Sequence, residues 1–458
     1  MMKKRLCLPV LSILLCLMFP FSAMAQSVPD PDLVAAIAGI KAIDNHAHPL
    51  RVLKEGERDT EWGELSYHTL SAATSDPSEE IPLVPFRLRP ESPEYVAVWK
   101  ELYGVSLGRV PKEFIREVIR TKKRIMREQG DNYPAWVLDK IGVETMLANR
   151  TAMDRSLPAT RFRWVPYADA LMFPLSNQEA KVTRPDLASS YEGLERLRAS
   201  FLKDLGISRL PSSLKDYLSM VVTPSLERQK QGGAVAVKFL TAYLRPLEVS
   251  NPSAEQAGRV YEGYVRGGKP TGREYGTLQD YLFRYICREA GRLGMAVHIH
   301  TGFGIGQYFD VVGSNPLLLE SVFNDPDLRK TRFVIIHGGW PFAKQTAAML
   351  LKPNVYADFS AIDFLLYPRE VGDVLRSWLE IAPDKVLFGT DGFELDPNML
   401  FVNWEEFSCL GTRSARQALA LALTDMKQDG EITHEEALVI ARKVLRENAI
   451  RIYGLVSR

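Results

Sequence analysis

The sequence predicts a parallel α/β fold, a (β/α)8 barrel with helical insertions. Eight short strand-like runs recur along the chain, and helical stretches lie between most of them. Several runs are continuously apolar, which suits parallel strands buried on both faces, and the alternation of strands with helices favours a parallel sheet. The predicted strands are residues 41–46, 143–148, 162–168, 234–240, 296–300, 332–337, 354–358 and 385–389. Eight is the number of strands that such a barrel needs.

The N-terminal 25 residues have the pattern of a secretory signal peptide. A basic start is followed by an apolar run over residues 6–21 and then by Ala-Met-Ala at residues 23–25. The apolar run is short for a membrane span, which needs about 20 residues. We therefore expect an exported protein, periplasmic or secreted, with no stable membrane insertion after cleavage.

The remaining residues, 26–458, are predicted to form a single barrel. Residues of about 50–140 and 185–230 lack strand alternation and show helical periodicity, so both are expected to be helical insertions. Arg87 and Arg89 lie in the first insertion, and we interpret them as a solvated surface pair.

Charge and cysteine content exclude some classes of function. The chain has 57 basic and 56 acidic residues, and removal of residues 1–25 would leave 54 and 56. A chain without a basic excess is not expected to bind nucleic acid. The two cysteines beyond the signal, Cys287 and Cys409, are interpreted as buried free thiols, with one disulfide left open.

Histidines cluster at the ends of predicted strands. Side chains two residues apart on a strand share a face, and a parallel barrel gathers the carboxyl ends of its strands at one rim. Three or four nitrogen and oxygen ligands around an open position are typical of a catalytic zinc site. The sequence therefore predicts a divalent metal site. The candidate residues for this site are His46, His48, His298, His300, His337 and Asp391.

Five short motifs carry a family resemblance: IDNHAH at 43–48, VHIHTG at 297–302, FVIIHGG at 333–339, LFGTD at 387–391 and NAIRIYG at 448–454. They resemble the metal motifs and closing helix of the amidohydrolase superfamily, in particular its amidohydrolase-2 branch. Residues 237–243 are most similar to the amidohydrolase domain of some glutamine-synthetase-like fusion proteins. The resemblance implies a distorted (β/α)8 TIM barrel and a divalent metal, often zinc.

The resemblance also implies roles for individual residues. His46, His48, His300 and Asp391 match ligand positions of the family. His337 matches a histidine that binds a second metal or polarises the substrate. By contrast, His298 lies deeper on the same face and is expected to support the ligands or the substrate rather than bind the metal.

Lys238 in the fourth predicted strand decides the metal count. Two-metal members of the superfamily carry a carboxylated lysine on this strand that bridges the ions. Alternatively, Lys238 keeps its charge and pairs with a substrate carboxylate or with Asp391. We favour one zinc ion and leave two open.

The predicted function is hydrolysis of an amide, ester or lactone bond in a small substrate by metal-activated water. Asp391 would move the proton and His337 would steady the oxyanion. The alternatives are non-oxidative decarboxylation, isomerisation of a sugar acid, and a non-catalytic secreted binding protein. The sequence leaves the substrate and the oligomeric state, including a homo-oligomer, open.

Overall fold

A computed structural model describes residues 28–54, 57, 59, 86–88, 92–105, 112–304, 308–394 and 402–455. The predicted signal peptide and Arg89 lie outside these residues, so both remain predictions. No helix within the described ranges is both long enough and apolar enough to cross a membrane.

All eight predicted strands are present, and within each of two sheets every strand pairs in parallel with the next along the chain. The strands are β1 (Ala42–Ala47), β2 (Val143–Asn149), β3 (Phe162–Val165), β4 (Ala236–Phe239), β5 (Ala296–His300), β6 (Phe333–Ile336), β7 (Val355–Asp358) and β8 (Val386–Leu387). Strands β1, β2 and β3 form one sheet in that order, and strands β4, β5, β6, β7 and β8 form a second.

Backbone hydrogen bonds connect the two sheets at both seams. Between β3 and β4, Lys238 N donates to Pro166 O at 2.8 Å and Ala168 N donates to Lys238 O at 2.9 Å. Between β8 and β1, Asn45 N donates to Phe388 O at 2.8 Å. The strands therefore run in sequence order around a distorted (β/α)8 barrel, as predicted.

Helices follow or separate most strands. Among the described residues the α-helices are Pro31–Gly39, Pro93–Tyr103, Lys112–Gln129, Tyr133–Lys140, Asp169–Met172, Gln178–Thr183, Ala188–Asp204, Leu214–Tyr217, Thr223–Gln231, Ala254–Val265, Gly272–Arg292, Glu320–Phe323, Ala343–Met349, Ile362–Leu365, Pro368–Leu379, Trp404–Gln428, His434–Arg442 and Asn448–Tyr453. Both predicted insertions contain several of them, one set between β1 and β2 and the other between β3 and β4.

Buried ion pairs attach the first insertion to the rest of the fold. Lys122 lies 3.0 Å from both Glu405 and Glu406 at the start of the long helix Trp404–Gln428. Arg150, just after β2, pairs with Asp59 at 2.7 Å, and both side chains are buried. Removing one partner of such a pair would leave a buried charge uncompensated.

The barrel interior is apolar below the strand ends. Its buried cluster comprises Ile43, Leu147, Val165, Ala236, Ala296, Val334, Ile336, Tyr356 and Leu387, with Ala449, Ile452 and Tyr453 from the last helix. That helix therefore covers the amino-terminal end of the barrel, and the opposite end carries the polar strand termini.

Arg87 is buried rather than solvated, so the prediction of a solvated Arg87 is wrong. Its guanidinium donates to Glu94 at 2.6 Å and to the Asp363 carbonyl at 2.9 Å. Packing of the insertion against the residues after β7 removes it from solvent. Cys287 and Cys409 are both buried and free.

Candidate metal centre

Strand register brings the predicted ligands to one rim of the barrel. In β5, His298 and His300 alternate with Val297 and Ile299, so both imidazoles face the same side. Lys238 of β4 is the register partner of His298. Every one of the predicted site residues lies in this region, and all except Asp391 are almost fully buried.

Three side chains form the closest group. His46, His337 and Asp391 each offer a ligand atom, and these atoms all lie within 4.8 Å of one another. His46 Nε2 is 3.1 Å from Asp391 Oδ1, and His337 Nε2 is 4.0 Å from Asp391 Oδ2. His337, which the resemblance placed outside the primary ligand set, is therefore as central as His46.

His48 and His300 each contact one member of this group. His48 Nε2 lies 3.2 Å from Asp391 Oδ1. His300 Nδ1 lies 3.1 Å from His337 Nε2, while its Nε2 lies 3.0 Å from the Phe303 carbonyl oxygen. Since a carbonyl accepts only, His300 carries its proton on Nε2, and the lone pair of Nδ1 faces the other histidines.

Outer hydrogen bonds orient two further imidazoles in the same manner. His48 Nδ1 lies 3.0 Å from the Tyr167 hydroxyl oxygen. The Tyr167 hydroxyl donates its own hydrogen to the Asn149 carbonyl, so its oxygen can accept from His48 Nδ1–H. His337 Nδ1 lies 3.2 Å from the Ser360 carbonyl oxygen. With Nδ1 protonated in both, Nε2 keeps its lone pair towards Asp391, as a metal ligand requires.

The side-chain amide of Asn149 has the corresponding position next to His46. Its nitrogen lies 2.7 Å from His46 Nδ1, and its oxygen is buried with no hydrogen-bond partner among the described residues. Amide orientation follows from the surrounding hydrogen bonds. In its present orientation the amide nitrogen also donates to the Ala47 carbonyl at 3.2 Å, and a flip would set the amide oxygen against that carbonyl oxygen.

Burial keeps the centre's histidines neutral. It lowers the pKa of His46, His300 and His337 well below the ordinary imidazole value. Neutral imidazole is the form that coordinates metals. These three imidazoles are therefore available as ligands at neutral pH without first losing a proton.

Lys238 lies inside the same group. Its Nζ is 3.3 Å from His46 Nε2, and the side chain is fully buried. Burial lowers the pKa of Lys238 to about 8, although the charge of Asp391 opposes the shift. Its position is thus compatible with either a charged partner of Asp391 or a neutral amine near the metal ligands.

His298 lies beneath the candidate ligands and contacts the closing helix. Its Nε2 is 2.7 Å from the hydroxyl of Tyr453, which donates to the side-chain oxygen of Asn45. The Asn45 amide nitrogen in turn donates to Asp358 at 2.7 Å. The closing helix is therefore connected to the centre through buried hydrogen bonds.

Two buried carboxylates accept hydrogen bonds from backbone N–H groups at the candidate ligands. Neither was among the residues predicted for the site. Asp44 accepts from His46 N at 3.1 Å and from Thr390 N at 3.0 Å. Asp358 accepts from His337 N at 2.8 Å. Asp358 could have been found in the sequence because it is the polar residue that ends an apolar strand. Asp44 could have been found because it lies within the motif IDNHAH.

The backbone of two candidate ligands is left-handed. His337 has φ 64° and Asp391 has φ 50°, and both types tolerate this region better than branched residues do. After Asp391 the chain passes close to the long helix, since a Cβ on Gly392 would lie 2.0 Å from Ser408 Oγ. Close packing thus holds the Asp391 loop against the barrel.

Comparison with known proteins agrees with this geometry. The family described as amidohydrolase matches residues 242–455. Protein fluG of Emericella nidulans, a glutamine-synthetase-like protein, is 30% identical over 234 residues, which cover 48% of this chain and 26% of the fungal protein. Residues 242–455 of this chain are therefore similar to the amidohydrolase family. The predicted resemblance to this superfamily and to a glutamine-synthetase-like protein is confirmed.

Two solved structures are similar to this fold over most of the chain. A protein described as a metal-dependent hydrolase from Lactobacillus casei has a TM-score of 0.61 at 15% identity, covering 92% of this chain and 97% of that one. Uronate isomerase from Thermotoga maritima has a TM-score of 0.60 at 13% identity, covering 92% and 96%. At these identities the likeness concerns the fold alone.

The side chains at this rim of the barrel fit a divalent metal. Neutral imidazoles and a carboxylate converge, and their outer nitrogens are held by Tyr167, Ser360 and Asn149. Such second contacts accompany most metal-binding histidines. A His-His-Asp metal site is therefore present in outline, and the identity and number of the ions belong to the proposal below.

Asp44 offers a test of how the centre is supported. Burial raises the pKa of Asp44 to about 7, although Thr390 and His46 donate to it. A carboxyl with a raised pKa stabilises the fold at low pH, and this contribution is lost as the pH rises through about 7. In chelator-treated protein, Asp44→Asn should therefore gain stability relative to wild type between pH 5 and 8, measured by urea unfolding.

Asparagine suits this comparison because its oxygen can accept from both backbone N–H groups and its nitrogen can donate to the Thr390 hydroxyl. Asp44→Ala is the matched control and should be less stable at every pH. A stability difference between Asp44→Asn and wild type that does not change with pH would mean that Asp44 is already ionised at pH 5.

Proposed function

We propose that the protein hydrolyses an amide, ester or lactone bond of a small substrate with metal-activated water. The observation that supports this best is the convergence of His46, His48 and His337 on the Asp391 carboxylate at the carboxyl-terminal rim of the barrel, with His300 in contact with His337. Catalytic groups of such barrels lie at this rim.

His46, His48, His337 and Asp391 would hold the ion, with His300 contributing through Nδ1. One zinc ion is favoured, and Lys238 would allow a second if it were carboxylated. A bound divalent ion would lower the pKa of a water molecule to about 7 and polarise a carbonyl group.

We assign the proton transfer to Asp391. Burial works against ionisation, but the neighbouring His337, His48 and Lys238 together lower the pKa of Asp391 below its ordinary value. Its side chain is 15% exposed, against 1% for His46 and 2% for His337. The carboxylate is therefore ionised at neutral pH and faces the open side of the centre, where it could accept a proton from water and return it to the leaving group.

Aromatic side chains surround the histidines on one side. Tyr243 lies over His300 with ring centroids 4.4 Å apart, and Phe309 lies 5.0 Å from Tyr243. Both are only partly buried. An apolar wall beside a polar centre is the usual composition of a small-molecule site. Export to the periplasm or medium, and a small-molecule rather than nucleic-acid partner, are part of the same proposal.

A substrate panel tests the hydrolase proposal against its alternatives. The protein lacking residues 1–25 would be assayed with aryl esters, dipeptides, lactones, aromatic carboxylic acids and hexuronates, before and after metal removal and with zinc restored. We expect turnover of an ester, amide or lactone, lost on chelation and regained with zinc.

Release of carbon dioxide from an aromatic acid, or aldose–ketose conversion of a hexuronate, would instead assign the centre to decarboxylation or isomerisation. Absence of turnover together with tight binding of a panel member would favour the binding-protein alternative. His46→Ala is the control that separates activity of the centre from a contaminating hydrolase.

A further inference from the structure

The accessible part of the metal centre is polar and lies on one side of the barrel mouth. Asp391 and His48 follow β8 and β1, and their side chains are 15% and 10% exposed, whereas those of His46 and His337 are almost fully buried. Because the strands run in sequence order, β4 and β5 lie across the barrel from β8 and β1. A substrate that reaches Asp391 is therefore bounded on its far side by residues that follow β4 and β5.

Two aromatic rings on that far side contact a candidate ligand. Tyr243 ends the short helix Thr241–Tyr243 after β4, and its ring centroid lies 4.4 Å from that of His300. Phe309, in the segment after β5, lies 5.9 Å from His300 and 5.0 Å from Tyr243, with interplanar angles of 68° and 72°. Edge-to-face contacts at such distances are favourable. We call Tyr243 and Phe309 together the aromatic wall.

The aromatic wall keeps surface of its own. His300 is only 3% exposed, whereas Tyr243 and Phe309 are both partly exposed. A Cβ on Gly304 would lie 2.3 Å from the Phe309 ring, so the backbone of the same segment packs closely against that ring. The ring is thereby held in place before a substrate binds, which lowers the entropy cost of using it for recognition.

Short distances connect the aromatic wall to the reactive side of the centre. His337 Nε2 lies 4.0 Å from Asp391 Oδ2 and 3.1 Å from His300 Nδ1. The Tyr243 ring is the next group beyond His300. One small molecule can therefore place a carbonyl group near Asp391 and an attached ring against the aromatic wall.

We propose that the substrate carries an aromatic ring close to the bond that is cleaved, and that Tyr243 and Phe309 bind this ring. An aromatic partner adds attraction beyond the apolar area that it buries, so these two side chains favour an aryl group over a saturated one of the same size. The assignment rests on the hydrolysis proposed above and narrows its substrate to an aryl-substituted amide, ester or lactone.

Three hydroxamates test the aromatic wall without turnover: acetohydroxamate, phenylacetohydroxamate and cyclohexylacetohydroxamate. The hydroxamate oxygens bind zinc at an open position, so only the attached group differs between the probes. Isothermal titration would measure their binding to zinc-loaded protein lacking residues 1–25. We expect the phenyl probe to bind at least about tenfold more tightly than acetohydroxamate and about two- to tenfold more tightly than the cyclohexyl probe.

Variants of Phe309 locate the preference. Phe309→Leu keeps an apolar side chain but removes the ring, so the ratio of phenyl to cyclohexyl affinity should fall to about one. Phe309→Tyr keeps the ring and should keep the ratio. Val312→Ala, at an exposed position in the same segment, is the matched control and should also leave the ratio unchanged. An equal loss of all three probes in Phe309→Leu would overturn the proposal, because it would assign Phe309 to support of His300 instead.

The outcomes separate this proposal from the function on which it rests. Binding of acetohydroxamate with no gain from the phenyl group, or a phenyl preference that persists in Phe309→Leu, would overturn the role of the aromatic wall and leave hydrolysis standing. Failure of acetohydroxamate to bind the zinc-treated wild type would overturn the metal centre itself, and the aromatic wall with it.

Hydrolysis supplies a second readout. Phenylacetyl and cyclohexylacetyl substrates with the same leaving group share a methylene that separates the ring from the carbonyl, so their intrinsic reactivities are similar. The ratio of their kcat/KM values should be about two to ten in wild type and about one in Phe309→Leu. A ratio of about one in an active wild type would overturn the aryl preference.

Discussion

Replacing His46 by alanine is expected to leave the purified protein with less than about one tenth of an equivalent of metal per chain, where wild type carries about one equivalent. His46 is a member of the closest ligand group, and its Nε2 lies 3.1 Å from Asp391. Elemental analysis of both proteins, expressed without residues 1–25 and purified identically, measures the difference.

Lys238→Ala is the matched comparison, because Lys238 lies 3.3 Å from His46 Nε2 but is not a ligand of a one-metal centre. About one equivalent in both wild type and Lys238→Ala would support a single ion. Two equivalents in wild type that fall towards one in Lys238→Ala would point to a carboxylated bridge. Full metal content in His46→Ala would remove the proposed ligand set.

The order of the strands was predictable because buried parallel strands have a sequence signature of their own. The run Phe-Val-Ile-Ile at 333–336 is continuously apolar up to His337, and β6 covers these residues. Strand β8 has two residues where five were predicted. Just beyond it, Phe388 O accepts from Asn45 N of β1 and Phe388 N donates to Val444 O, and such tertiary pairing has no local pattern.

The candidate histidines could be predicted from the sequence because histidines two residues apart at strand ends are uncommon for packing alone. The hydrogen-bond partners of these histidines could not be predicted. Asn149 and Tyr167 stand on other strands or loops, and they reach His46 and His48 only through the barrel's closure. Nothing in the local sequence distinguishes them from ordinary polar or aromatic core residues, since their roles depend on contacts 103 and 119 residues apart.

The same limit explains the error at Arg87. The local sequence is rich in arginine and proline, which favours an exposed loop. Burial of its guanidinium depends on acceptors supplied from nearly three hundred residues further along, the carbonyl groups of Asp363 and Leu366. Burial of a charged side chain follows from such distant acceptors, and periodicity cannot reveal them.

Asp391→Asn is expected to lower kcat/KM by about 10²- to 10⁴-fold at saturating metal, the range for loss of a general acid–base group. Asparagine preserves the size of the side chain and adopts the left-handed backbone that φ 50° requires. It cannot accept a proton from water, which is the role we assign to the ionised carboxylate. Activity would be measured on the best substrate of the panel, with the zinc content of each sample determined in parallel.

The zinc content separates the two proposed roles of Asp391, metal ligation and proton transfer. A loss of activity that follows the loss of zinc would assign it to ligation alone. A variant that keeps its zinc and loses its activity would support proton transfer. Full activity at full zinc content would contradict hydrolysis by activated water and favour decarboxylation, where the ion orients the substrate and no water needs a base. The outcome therefore decides between the two chemistries that this set of ligands can support.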